Sequence, residues 1–180
     1  MKVGLALPTM AAGWTRGTWL DWCRVADEGP FASISTGERI TFHNPEILTA
    51  LAACAALTTR TRVMTNVVVT PWHATTLLAK QLATIDVICE GRLDVGIGVG
   101  ARGQDYASLG ASMARRHDRV DEQAAELRRL LHQAGILDRL PDQAPALGLF
   151  GRQLVAEQRE CRGAGTADMA RQEPGAARVR

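Results

Sequence analysis

The chain has 180 residues, 46% of them apolar, which suffices for one domain with a buried core. Its 21 basic and 19 acidic residues nearly balance and only 4% of residues are aromatic, which argues against nucleic acid or an anionic membrane as the main partner. No run approaches the roughly 20 apolar residues that span a bilayer.

The apolar start, Val3–Leu7 after a single lysine, is too short for a signal peptide and reads as a buried first strand. Thr18–Asp27 reads as a helix capped by Thr18 or the preceding glycine. Phe31–Ser35 is a second strand. Pro45 suits a first helical position with Asn44 as cap, and Glu46–Leu57 follows as an alanine-rich helix. Arg62–Val69 carries Val63, Val67, Val68 and Val69, a continuous run suited to a strand covered on both faces. Ala74–Ile88 is the third helix, Leu93–Val99 the fourth strand, and Arg115–Gln133 the fourth long helix. In that helix Val120, Ala124, Leu127 and Leu131 share one face, with Asp121, Glu122, Arg128 and Arg129 elsewhere.

Four successive βα units imply a parallel α/β sheet with right-handed crossovers. The pattern fits either an open doubly wound sheet or the start of a barrel, and in both the chemistry belongs to the C-terminal ends of the strands. From Ala134 to Arg180 the character changes. This stretch holds seven arginines, six glycines and no sustained period, so it reads as a low-complexity tail, with a helical turn or two around Leu147–Glu160. The expected division is therefore 1–133 as the α/β unit and 134–180 as a poorly ordered tail. Cys23, Cys54, Cys89 and Cys161 show no CxxC pairing and no metal-ligand spacing, as expected of reduced, buried thiols in a cytoplasmic protein without a metal.

The most informative segment is Gly91-Arg92-Leu93-Asp94-Val95-Gly96-Ile97-Gly98-Val99-Gly100, continuing to Asp105-Tyr106 and Leu109-Gly110. A glycine turn delivers a strand whose end lacks side chains at Gly96, Gly98 and Gly100. Such glycines admit either a flat ligand or tight backbone packing within a barrel. The spacing is not the dinucleotide fingerprint, because the third glycine comes one residue early and no helix follows it directly.

With its surroundings this segment, together with Arg116 and Val120-Asp121-Glu122, resembles the fourth strand and following helix of luciferase-like monooxygenases. Ser35-Thr36-Gly37-Glu38-Arg39 is similar to the end of that family's second strand. Leu51-Ala52-Ala53 and Leu57-Thr58-Thr59-Arg60-Thr61-Arg62 resemble the helix and turn before its third strand. Val67-Val68-Val69-Thr70-Pro71-Trp72-His73 and Leu78-Ala79-Lys80-Gln81-Leu82-Ala83-Thr84-Ile85-Asp86 resemble its third strand and helix. The resemblance covers about residues 1–133. It implies a (β/α)8 TIM barrel, of which this chain holds the first four βα units. It also implies an oxidoreductase that binds reduced flavin mononucleotide (FMN) or the deazaflavin coenzyme F420 at the C-terminal mouth and acts on a small organic substrate.

The same resemblance implies a non-prolyl cis peptide in a bulge of the third strand at Thr65–Asn66, and cofactor contacts from Thr36, Thr65, Asn66, Thr70, Gly98, Gly100 and Asp105. Each has an alternative: Asn66 as a strand bulge or cap, Thr36 and Thr70 as structural hydroxyls, Asp105 as a loop or helix-cap acid. His73 occupies a turn where the family often has histidine and is the one candidate catalytic residue, although a local hydrogen bond at the helix start would equally account for it. Gly98 stands where bacterial luciferase has a reactive cysteine, and Thr36-Gly37 where several members have histidine. Thiol chemistry and light emission are thus not expected.

The family's strands five to eight, which supply much of the phosphate site, have no counterpart in the pattern after Gln133. This raises a second expectation: a truncated, catalytically inactive half-barrel that folds or acts only with a partner chain, such as a second copy joining as a homodimer. A shift of reading frame would produce such a tail.

Overall fold

The backbone alternates as expected. A computed structural model of the chain describes residues 2–135 and the pair Leu147–Gly148. The elements are β1 (Gly4–Ala6), α1 (Arg16–Glu28), β2 (Ser33–Thr36), α2 (Ile47–Leu57), β3 (Arg62–Val69), a 3-10 turn (Thr70–Trp72), α3 (Thr75–Ile88), β4 (Leu93–Gly98), α4 (Gly103–Ser108), α5 (Arg116–Gln133) and β5 (Leu147–Gly148).

All neighbouring strands pair in parallel, in the order β1-β2-β3-β4-β5. This order settles what periodicity leaves open. A doubly wound sheet reverses direction at a switch point, whereas each strand here adds to the same edge, as in the first half of a (β/α)8 barrel. The segment read as helical turns around Leu147–Glu160 begins instead with Leu147–Gly148 extended against Val95 and Gly96; two residues cannot signal a strand by pattern. The rest of the expected tail, with Cys161, lies outside the described residues.

The core lies between the sheet and the helices. Ile34, Val63, Val68 and Ile97 on the strands meet Leu51, Leu78, Leu82 and Leu127 on the helices, all fully buried. Each such side chain contributes about 1.5–3 kcal/mol. The four apolar positions expected to share a face of α5 are all buried. On the other sheet face, alternating with Val63 and Val95, Arg62 forms a two-pronged ion pair with Asp94 (2.6 and 2.7 Å).

Two helix starts differ from expectation. Helix α1 is capped by Thr15, whose hydroxyl accepts from Thr18 N at 3.2 Å, so Thr18 is inside the first turn. Helix α2 is capped by Glu46, whose carboxylate accepts from Leu48 N (2.9 Å) and Thr49 N (2.7 Å), whereas the Asn44 amide donates to Arg39 and Pro45 carbonyls. A carboxylate that satisfies two amides outcompetes the asparagine for the capping place.

At the N-terminal ends of the strands, Asp27 and Arg60 clasp each other's segments. Asp27 accepts from the backbone N–H of Thr59, Arg60 and Thr61, while the Arg60 guanidinium donates to the carbonyls of Ala26, Gly29 and Phe31. One unit further on, Arg92 donates to the carbonyls of Ala55, Thr58 and Thr61. Both arginines satisfy carbonyls at a helix C-terminus, as the helix dipole favours.

Candidate functional site

The C-terminal ends of the strands gather the chemistry-bearing residues, and β3 organises them. Its ladder with β4 is regular through Thr65↔Val95, then shifts and resumes at Val68↔Ile97. The fully buried Thr65 hydroxyl donates to Gly96 O (2.7 Å) and accepts from Gly96 N (2.8 Å), replacing ladder bonds at the shift. Because Thr65 is still held in the ladder, the irregularity begins after it. The non-prolyl cis peptide is accordingly Asn66–Val67, one bond beyond the expected Thr65–Asn66. Asn66 is exposed, so it and not Thr65 presents polar groups at the mouth. Gly37, at the end of β2, lies directly beside this bend: a Cβ there would sit 2.9 Å from the Asn66 carbonyl oxygen.

The glycines of β4 answer the same bend from the other side. A Cβ on Gly98 would lie 2.7 Å from Val67 Cγ2, and one on Gly100, at φ +65°, would lie 2.7 Å from Val69 Cγ1 and 3.1 Å from Trp72. Of the two uses foreseen for these glycines, close packing inside the protein accounts for the space on their Cβ side.

The remaining candidates divide. The Thr36 hydroxyl is buried against that of Thr9 at 2.8 Å. The Thr70 hydroxyl and the Trp72 indole N–H are buried with no hydrogen-bond partner among the described residues. Asp105, 0% exposed, accepts from both the backbone N–H and the hydroxyl of Thr41. Arg39 and Arg102 place their Nε atoms 3.5 and 3.7 Å from its other oxygen. Burial pushes the Asp105 carboxyl upward, but the Thr41 hydrogen bonds and the Arg39 charge outweigh it and hold it below the ordinary aspartate value. Asp105 thus ties the loop after β2 to α4.

His73 is tied rather than free. Its Nε2 lies 2.8 Å from Oε1 of Glu38, and Oε2 of Glu38 accepts from Val69 N at 2.6 Å. Gln123 of α5 donates to the His73 carbonyl (3.1 Å). Glu38 is the residue that sequence reasoning missed. It stands in the segment Ser35–Arg39, yet a glutamate in a βα loop reads as solvated, and nothing local reveals that it is buried between β2 and β3. Its signal was position alone, two residues past the end of β2 on the face where such sheets hold their ligands. Among the described residues, no group of three or more His, Cys, Asp or Glu is placed to hold a metal, and no helix is long and apolar enough to cross a membrane.

Residues 1–140 match the luciferase-like monooxygenase family. Among curated proteins, the chain is similar to the oxygenase component of a flavin-dependent trigonelline monooxygenase from Acinetobacter baylyi, with 33% identity over 93 residues, covering 50% of this chain and 26% of that protein. Among solved structures it resembles the monooxygenase RslO1 of Streptomyces bottropensis (TM-score 0.65, 32% identity), covering 72% of this chain and 42% of the other. It also resembles the oxygenating constituent of 3,6-diketocamphane monooxygenase from Pseudomonas putida, a type II Baeyer-Villiger monooxygenase in complex with FMN (TM-score 0.61, 25% identity), covering 71% and 38%. The chain spans less than half the length of each of these proteins. With a match over residues 1–140 and a parallel sheet of consecutive βα units, the chain belongs to the luciferase-like monooxygenase family.

Proposed function

We propose that these strand ends form the ring-facing part of a site for FMN or coenzyme F420, in an oxidoreductase acting on a small organic substrate. The observation that carries this reading is the bend of β3. It leaves the Asn66–Val67 peptide at the mouth beside Gly37, with the Thr70 hydroxyl, unpartnered among the described residues, just past the end of the same strand. A planar ring system with polar edges suits a surface of backbone, Val67 and one carboxamide; Asn66, Val67 and Thr70 would hold it. When bound, the flavin or deazaflavin supplies the redox chemistry, and the protein supplies position and shelter from water. The FMN complex of the diketocamphane enzyme supports the flavin choice, and the fold likeness to an F420-dependent secondary alcohol dehydrogenase keeps F420 as the alternative.

Titrating the purified chain with FMN and with F420, following ring fluorescence, tests the proposal. Saturable binding of one, weakened by Asn66→Ala, is the expected result. A folded protein that binds neither refutes it.

A second reading is that the chain acts only with another chain, a second copy included. The observation favouring it is β1, which has a hydrogen-bonded neighbour on one side only among the described residues. Light scattering during the same titration decides: a compact monomer that binds cofactor removes this reading. The buried free thiols Cys23, Cys54 and Cys89 support a reducing, cytoplasmic setting.

A further inference from the structure

We infer that Arg39 and Arg102, on the loops after β2 and β4, form a subsite for an organic anion, a carboxylate or a phosphate monoester, at the mouth of the sheet. Both guanidiniums face the same oxygen of Asp105, at 3.5 and 3.7 Å from their Nε atoms. Neither contact is a hydrogen bond, and the Arg39 Nε is buried with no hydrogen-bond partner among the described residues. Asp105 spends its other oxygen on Thr41. Among the described residues no other carboxylate lies within ion-pair distance of either arginine, and neither guanidinium donates a hydrogen bond to protein. One carboxylate thus faces two cations, Arg39 the more buried of them. The charge left over, with forked donors unused, is what a bidentate anion completes.

The surroundings give the ligand its body. Arg39 lies over the ring of Phe42, 5.0 Å from its centroid, and Phe42 packs on His43, whose Nε2 is 2.8 Å from the Met10 carbonyl. Phe42 and Met10 are 43% and 39% exposed, so their apolar surface is open to a ligand. One continuous segment, Arg39 to His43, therefore presents a cation and an apolar ring together, with Arg102 joined through Asp105. A small aromatic or apolar carboxylate matches that set, and so does the phosphate end of a flavin nucleotide. The first source does not depend on the proposed cofactor site, so the two proposals fail separately.

The test uses the full chain and calorimetric titration with two matched pairs of probes, benzoate against benzamide and FMN against riboflavin. Each pair differs only in the anionic group. Expected is a preference of about tenfold or more for the anionic member of at least one pair, lost in Arg39→Gln and Arg102→Gln. Arg129→Gln, which removes an exposed arginine on α5 paired with Glu126, retains it. Selectivity for benzoate assigns the subsite to a substrate carboxylate, and selectivity for FMN assigns it to the cofactor phosphate. Both variants keep the far-UV circular dichroism of the parent. If neither pair is discriminated, or discrimination survives both substitutions in folded protein, the inference is overturned.

Discussion

Replacing Glu38 by alanine removes the acceptor that joins the second strand's end to the third strand and to His73. Two bonds are lost: Val69 N to Oε2 at 2.6 Å and His73 Nε2 to Oε1 at 2.8 Å. Val69 is buried, so its N–H is left without water or partner, a penalty of about 1–3 kcal/mol. The His73 bond is partly exposed and contributes about 1 kcal/mol more. The sum, about 3 kcal/mol, corresponds to a fall in Tm near 10 °C for a chain of this size. Glu38→Gln is the informative companion. Its carbonyl oxygen still accepts from Val69 N, so its cost is only about 1 kcal/mol, the difference between charged and neutral acceptors. Urea unfolding followed by tryptophan fluorescence measures both. Should Glu38→Ala cost under about 0.5 kcal/mol, or Glu38→Gln cost as much as Glu38→Ala, the assignment of Glu38 as acceptor for a buried amide is wrong.

Three further outcomes follow from the geometry. Thr65→Val leaves both polar groups of Gly96 unpaired at the ladder shift and lowers stability by about 2 kcal/mol in urea unfolding, more than Thr36→Val, which breaks a single hydroxyl pair. Gly98→Ala drives a methyl to 2.7 Å from Val67 and destabilises by about 1–3 kcal/mol; the double variant with Val67→Ala recovers most of this, a coupling that a double-mutant cycle reads directly. Asp27 carries a pH signature. Burial raises its carboxyl, but the three backbone N–H groups of Thr59, Thr61 and Arg60 prevail and hold it well below the ordinary aspartate value. A carboxyl depressed in the folded state stabilises above its unfolded pKa of about 4, and that contribution disappears as pH falls toward the folded value. Parent and Asp27→Asn should therefore differ most at neutral pH and converge on acidification; a difference that is constant from pH 6 to pH 3 would contradict this.

The order of strands and helices was legible because each run of β-branched residues is bounded by turn residues, and because α5 repeats its apolar positions at helical spacing. Strand order was not, since periodicity says which face is buried and nothing about which strand is next door. Helix α4 escaped notice because six residues beginning at Gly103 carry no period. Of the two uses that the spacing Gly96 to Gly100 leaves open, the packing one is visible: Gly98 and Gly100 make room for Val67 and Val69 of the neighbouring strand. The cis bond fell one residue from expectation because the Thr65 hydroxyl keeps that residue in register, a tertiary contact invisible along the chain. Glu38 and Arg39 show no role along the chain, because their partners, Val69, His73 and Asp105, lie more than thirty residues away.

The clasps at the opposite end, Arg60 and Arg92, carry a practical consequence for anyone altering this scaffold. Each fastens a helix exit to the turn before the next strand but one by several carbonyl contacts, far from the mouth. Anchorage thereby lies at the pole opposite the proposed ligand site. The exposed positions Met10, Phe42 and Arg102 are open to exchange in a search for new ligands, provided Glu38, Thr41 and the glycines beneath the bend are retained. A lysine in place of either clasping arginine keeps the charge but brings a single ammonium where a broad fork is required, and loosens every graft built above it.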